Sequence, residues 1–151
     1  MKKVGILLVT ICFTLMLCSG CSKDGVLNFY KDVNEKVGDT VLTNKSKLKG
    51  TREFGEDHYT GTYKVTYKDF KGEEVVFGGT TIERDEDNIH IKLNIEDSKG
   101  DIKVIMKLKE NEETLATEDG SYEFDFNVKD GSNYLIIRSD KYSGKINIEI
   151  E

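Results

Sequence analysis

Residues 89–96, "IHIKLNIE", decide the fold class of this protein. Apolar and polar side chains alternate along them without a break, with Ile89, Ile91, Leu93 and Ile95 in one phase and His90, Lys92, Asn94 and Glu96 in the other. Successive side chains of an extended chain point to opposite faces. The period of two therefore predicts a β-strand with one face in a core and the other in water.

The same alternation continues through most of the chain. It predicts further strands over 59–68, 73–84, 102–109, 122–128, 134–139 and 146–150. Turn-forming residues separate them at 69–72, 85–88, 97–101, 111–120, 130–131 and 143–144. Asp130-Gly131 predicts a type I′ hairpin, and Gly78-Gly79 a bulge or a close approach of two backbones. Strands at this spacing predict an antiparallel β-sandwich of about seven strands.

Upstream of the strands, the pattern changes twice. Within residues 24–38 the apolar side chains recur at helical spacing, at Val26, Tyr30, Val33 and Val37, which predicts one short N-terminal helix. Residues 43–58 are polar and contain glycine, as in a linker. The predicted organisation is therefore a helix and linker within 21–58, followed by a β-sandwich domain over 59–151.

The first residues have the pattern of an export signal. Lys2 and Lys3 precede an uncharged run over 4–18, which is shorter than the roughly 20 apolar residues of a membrane-spanning helix. The run ends in Cys18-Ser19-Gly20-Cys21, where an ordinary signal has a small-x-small cleavage site.

This tetrapeptide resembles the lipobox of bacterial lipoproteins, although Cys18 stands where leucine is usual. The resemblance implies a signal peptide over 1–20, a diacylglyceryl group on Cys21, and a protein held at the extracytoplasmic face of the cell membrane. A plain secreted protein and a retained membrane anchor are the alternatives. Residues 59–81 also resemble small lipoproteins of Gram-positive bacteria that have no assigned function.

Cysteine content and charge restrict the partners. The cysteines are Cys12, Cys18 and Cys21, so the processed chain keeps one thiol and forms no internal disulfide. Removal of Lys2 and Lys3 leaves 20 basic against 28 acidic residues and changes the net charge from −6 to −8. An acidic body disfavours nucleic acid. The expected partners are the membrane, through the lipid on Cys21, and an envelope protein or glycan.

Residues for catalysis are sparse. The chain has two histidines, His58 and His90, no Gly-x-Ser-x-Gly elbow and no zinc-type His-x-x-x-His pair. We therefore predict no enzyme activity and no cofactor.

Three sets of residues are candidates for binding. Each has a structural alternative: core packing for the tyrosines, a solvated turn for the acidic set and a solvated linker for the basic set. The sets are a ligand-facing tyrosine ladder (Tyr59, Tyr63, Tyr67), a calcium-binding turn (Asp85, Asp87, Asn88) and an envelope contact (Lys45, Lys47, Lys49, Arg52). The leading functional hypothesis is a non-catalytic binding module of the cell envelope. The alternatives are an immunity or inhibitor lipoprotein that intercepts a toxin or protease, and a hydrolase of wall polymers.

Overall fold

The structure, a computed structural model, describes residues 41–81, 88–128 and 131–151. Most of these residues belong to six strands: β1 (Thr51–Phe54), β2 (Gly61–Thr81), β3 (Asn88–Leu108), β4 (Asn111–Ala116), β5 (Gly120–Asn127) and β6 (Gly131–Ile150). All pairs are antiparallel, so the predicted mainly β class is confirmed. Over the three described ranges no helix has the length and apolar content needed to cross a membrane. The predicted helix over 24–38 and the segment 1–21 lie outside the described residues.

Three long strands form the centre of a single sheet. Its order is β1-β2-β6-β3-β4, and β5 also pairs with β3. Each long strand joins two strands that the sequence predicts separately, so the predicted turns at 69–72, 97–101 and 143–144 are bends in continuous strands. Shifts of pairing register mark the bends, and Asp69 and Asp97 adopt positive φ there, which aspartate tolerates better than most residues.

Strand β2 doubles over at its bend. The Tyr59 hydroxyl donates a hydrogen bond to the Gly79 carbonyl at 2.7 Å, and the Gly78 N–H donates to the His58 carbonyl at 2.8 Å. In a straight strand, residues 59 and 79 would be roughly 65 Å apart, at about 3.3 Å per residue. The sheet therefore forms two layers. The five-strand layer contains β1, β5 and the halves of the long strands around 61–67, 88–96 and 144–150, and the four-strand layer contains β4 and the other halves.

The core lies between these layers. One cluster of buried apolar side chains includes members of both, among them Tyr63, Ile91 and Ile148 from the five-strand layer and Phe77, Met106 and Leu135 from the four-strand layer. Burying each such side chain contributes about 1.5–3 kcal/mol. Hydrophobic burial thus holds the doubled sheet closed.

Residues 41–50, called the strap below, cover the outer face of the four-strand layer. Leu42 packs on a second buried cluster that comprises Val75, Ile105, Tyr134 and Ile136. The Thr43 N–H donates to the Val75 carbonyl at 3.0 Å, and the Val75 N–H donates to Thr43 Oγ1 at 2.8 Å. Residues 43–50 of the strap and all of β1 fall within the segment 43–58 that is predicted as a linker.

Two further connections differ from the predictions. Strand β4 lies within the predicted turn over 111–120, and only Leu115 and Ala116 of it are buried, so its sequence shows no alternation. The predicted hairpin at Asp130-Gly131 is wrong. Among the described residues β5 pairs only with β3, whereas β6 starts opposite Thr81 of β2 in the other layer. That connection crosses between layers instead of joining neighbours.

Candidate ligand-binding surface

The predicted tyrosine ladder lies inside the protein. Tyr59, Tyr63 and Tyr67 are 6%, 0% and 3% exposed. Lys64 and Thr66, in the other phase of the same strand, face the solvent. The prediction that these tyrosines face a ligand is therefore wrong. Their rings fill the space between the layers, where aromatic area is removed from water.

A buried carboxyl group binds two of the tyrosine hydroxyls. Glu74 is 2% exposed, and its Oε2 accepts hydrogen bonds from Tyr63 at 2.7 Å and Tyr67 at 2.6 Å. Its Oε1 accepts from the Lys49 N–H at 2.7 Å, and the Tyr63 hydroxyl accepts from the Gly50 N–H at 3.1 Å. These bonds connect the strap to both layers of the sheet.

Both hydroxyl groups are held in the protonated state. Burial is the main cause that raises the pKa of Tyr63 above its usual value of 10.0, and the hydrogen bond to Glu74 raises it further. Burial also raises the pKa of Tyr67, with the neighbouring Tyr63 as the next cause. The hydroxyls therefore serve as permanent donors, which suits a structural role.

The predicted basic contact separates into structural and exposed side chains. The Arg52 guanidinium donates to the carbonyls of Val76 at 3.1 Å and Thr43 at 3.2 Å, and it stacks 4.6 Å from the centroid of the Phe54 ring. Arg52 thus ties the strap to β2, and its part in the envelope contact stays a prediction. The three lysines of the set are exposed, namely Lys45, Lys47 and Lys49.

The predicted calcium turn is described only at its last residue. Asn88 is exposed, and its Oδ1 accepts a hydrogen bond from Asn127 Nδ2 at 2.8 Å. Asp85 and Asp87 lie outside the described residues. In the ranges that the structure describes, no three His, Cys, Asp or Glu side chains converge on a position that could hold a metal ion.

A row of aromatic rings on β5 is the surface that the sequence did not single out. Tyr122, Phe124 and Phe126, called the aromatic row below, are partly exposed, although they lie in the inward phase of their strand. Their partners on β3, Leu93, Ile91 and Ile89, are buried. The rings remain partly open because, among the described residues, β5 has a neighbouring strand on one side only.

The three rings lie one after another along β5. The centroids of Tyr122 and Phe124 lie 6.2 Å apart with planes inclined by 11°, and those of Phe124 and Phe126 lie 6.3 Å apart with planes inclined by 33°. A Cβ atom at Gly120 would come within 2.9 Å of the Tyr122 ring, so glycine makes room for it. The Tyr122 hydroxyl donates to the Glu118 carbonyl at 3.2 Å, which fixes that end of the row.

A polar groove lies where the chain enters β5. It has a volume of about 490 Å³, and its walls include Thr66, Asp97, Ser98, Asp119 and Lys145. The Asp119 carboxylate accepts from the Ser98 N–H at 3.1 Å, and Lys145 Nζ lies 2.7 Å from Asp97. The hydrogen bond from Lys145 lowers the pKa of Asp97 below its usual value. The groove therefore offers hydroxyl, carboxylate and ammonium groups close together.

Over the described ranges the fold is an antiparallel β domain, with a row of partly exposed aromatic rings on β5 and a polar groove where the chain enters that strand. No family model and no curated protein matches the chain. Solved structures that resemble it include a family 29 carbohydrate-binding module, with a TM-score of 0.37 and 10% identity over 69% of this chain and 73% of that chain.

Two further structures show a comparable degree of likeness. A carbohydrate-binding module from Cellvibrio mixtus lichenase 5A in complex with cellotriose has a TM-score of 0.31 and 14% identity over 67% of this chain and 86% of that chain. A cupin domain from Bordetella pertussis Tohama I has a TM-score of 0.32 and 11% identity over 68% of this chain and 91% of that chain. Because these three TM-scores are below 0.5, the likeness does not indicate a function for this chain.

Proposed function

We propose that the protein is a lipid-anchored, non-catalytic binding module of the cell envelope, a β-sandwich that binds a glycan along the aromatic row. The observation that supports it is that three partly exposed rings follow one another along β5, with the centroids of neighbouring rings 6.2 and 6.3 Å apart. Aromatic side chains combine a large apolar face with defined stacking geometry. Sugar rings present apolar C–H faces that pack flat on such surfaces.

The arrangement favours an extended saccharide. A ligand with repeated rings places one apolar face after another along a line, and the three rings of the aromatic row likewise follow one another along β5. Binding sites of this kind combine apolar contact area with a few polar groups that fix orientation. Asp119, Ser98 and Lys145 in the polar groove are suited to hydrogen bonds with sugar hydroxyls at the Tyr122 end.

Anchoring is the second part of the proposal. The uncharged run over 4–18 and the lipobox-like Cys18-Ser19-Gly20-Cys21 support export, cleavage before Cys21 and lipid attachment to its sulfur. Two or more acyl chains hold a protein stably on a membrane, at about 0.8 kcal/mol per buried CH₂. Mass spectrometry of the mature N-terminus tests this: a diacylglyceryl mass on Cys21 is expected, and an unmodified Cys21 contradicts it.

Phe124→Leu tests the glycan site. Leucine keeps apolar packing against Ile91 and removes the flat ring, so the fold is retained while stacking is lost. The full chain in nonionic detergent is titrated calorimetrically with hexamers of β-1,4-linked glucose and of N-acetylglucosamine. We expect the variant to bind the better of the two hexamers about tenfold more weakly or worse, the scale of losing a central aromatic anchor.

Phe54→Leu is the matched control, because Phe54 is 39% exposed and lies on β1 rather than β5. It should leave the affinity unchanged. Equal losses for the two variants, or no binding of either hexamer by the unaltered chain, contradict the proposed glycan site. Thermal unfolding of each variant shows whether the fold is intact.

A further inference from the structure

An open groove of about 770 Å³ separates the strap from the bend of β2. Lys47 and Lys49 belong to the strap wall, and Lys71 to the opposite wall. All three side chains are exposed. In a protein with a net charge of −6, this groove, called the strap groove below, brings ammonium groups from two separate parts of the chain to one concave surface.

These lysines are available for a ligand. Among the residues that the structure describes, Lys92, Lys145 and Arg138 form ion pairs with carboxylates, whereas Lys47, Lys49 and Lys71 form none. An unpaired cation keeps its full attraction for an incoming anion, since no partner has to be displaced.

The two carboxyl groups in the strap groove do not cancel this attraction. Glu73 accepts a hydrogen bond from Arg138 Nε at 2.7 Å, but Arg138 also pairs with Glu112, so the charge of Glu73 is compensated in part. Glu74 is 2% exposed, and its oxygens accept from Tyr63, Tyr67 and the Lys49 N–H. Three ammonium groups therefore face the solvent in the groove against one exposed carboxylate, that of Glu73, so its solvent-facing charge is positive on balance.

We propose that the strap groove binds a phosphate-bearing chain. Lysine is a compact point charge that binds phosphate oxygens without the planar geometry that arginine requires. Ammonium groups on facing walls contact both sides of a narrow polymer. A bilayer surface is flat and does not enter a groove, so a single polyanionic chain is the occupant that the shape favours. This site is separate from the aromatic row, and its test does not depend on glycan binding.

Titration of the full chain with linear polyphosphate in 50 mM salt tests the proposal. The double variant Lys47→Gln, Lys71→Gln removes one charge from each wall and should weaken binding about 25-fold, at about fivefold per lysine. Binding should also weaken strongly in 500 mM salt, because screening shortens the range of the attraction. Circular dichroism verifies that both proteins are folded.

Lys45→Gln is the matched control. Lys45 is an exposed strap lysine that does not line the strap groove, so its replacement should change the affinity less than twofold. A loss of about fivefold in this variant, as large as that expected for one groove lysine, would show general charge attraction and overturn the site. Absence of polyphosphate binding also overturns it, as does binding to phosphatidylglycerol vesicles, but not phosphatidylcholine vesicles, that depends on the same lysines and is tighter than binding to polyphosphate.

Discussion

Glu74 joins the two halves of β2 and the strap through one buried carboxyl group. It follows the bend of β2, and its carboxyl group accepts hydrogen bonds from Tyr63 and Tyr67 in the first half of the same strand and from the strap at Lys49. A buried polar group is costly unless its hydrogen bonds are complete. The residue therefore stabilises one particular folding-over of β2, since only that geometry completes its partners.

Glu74→Gln should destabilise the protein by about 2–4 kcal/mol. The amide has nearly the same shape, but its NH₂ group must face the tyrosine hydroxyls or the Lys49 N–H, which are donors in the native structure. Glu73→Gln is the control, because Glu73 is exposed and its surface pair with Arg138 is worth about 1 kcal/mol or less. Chemical denaturation measures both, and equal losses would contradict the role given to Glu74.

At the scale of the strand, β2 depends on one glycine of an adjacent pair. Gly78 has φ +114°, a conformation that L residues rarely adopt, and a Cβ atom there would collide with the Asn133 carbonyl oxygen of β6. Gly79 has no such φ, and its nearest contact would be the Tyr59 ring at 3.8 Å. The predicted close approach of backbones is confirmed at Gly78, while the register shift lies earlier, between Val75 and Phe77.

Gly78→Ala should therefore cost about 3 kcal/mol or more, from backbone strain together with the displacement of β6. Gly79→Ala should change the stability by no more than about 1 kcal/mol, since its methyl group meets ordinary van der Waals distances. Thermal unfolding of the two variants side by side provides the comparison. A smaller loss of stability for Gly78→Ala than for Gly79→Ala would contradict the close backbone approach at Gly78.

Strand β5 shows how far the strand pattern predicts a site. The alternation of Tyr122, Phe124 and Phe126 with polar residues predicts the strand and its inward phase correctly. It does not predict that these rings are partly exposed, because exposure depends on β5 having a strand on only one side within the part of the chain that the structure describes. The available signal was compositional: three aromatic residues occupy consecutive inward positions, where β3 has Ile89, Ile91 and Leu93.

At the scale of the whole molecule, the buried tyrosines make stability depend on alkaline pH. The pKa values of Tyr63 and Tyr67 are raised in the folded protein, whereas in the unfolded chain both ionise near 10.0. The folded state then retains protons that the unfolded state releases, so their contribution is fully present below pH 10 and is lost as the pH rises above it. The expected slope is about 1.4 kcal/mol per pH unit for each tyrosine.

Denaturation midpoints measured at pH 8, 9, 10 and 11 check this expectation. In the variant Tyr63→Phe, Tyr67→Phe, stability should decline less steeply above pH 10 than in the unaltered chain. Other ionisable groups contribute to the decline in both proteins. One of these is Tyr142, whose pKa burial also raises. Parallel declines in the two proteins would show that these tyrosines do not govern the alkaline loss.

Sequence alone predicts the antiparallel β class and the inward phase of the alternating strands over 59–68, 89–96 and 122–128, because side-chain alternation is a local property of an extended chain. It also determined the lipoprotein expectation, which rests on contiguous residues ending at Cys21. The three-dimensional arrangement was needed to show that predicted turns are bends in long paired strands. Burial of the tyrosine ladder, exposure of the aromatic row and the lysines facing one another in the strap groove were decided there too. Each depends on which distant segments become neighbours, such as Glu74 beside Tyr63, and that follows from closure of the whole sheet around its core.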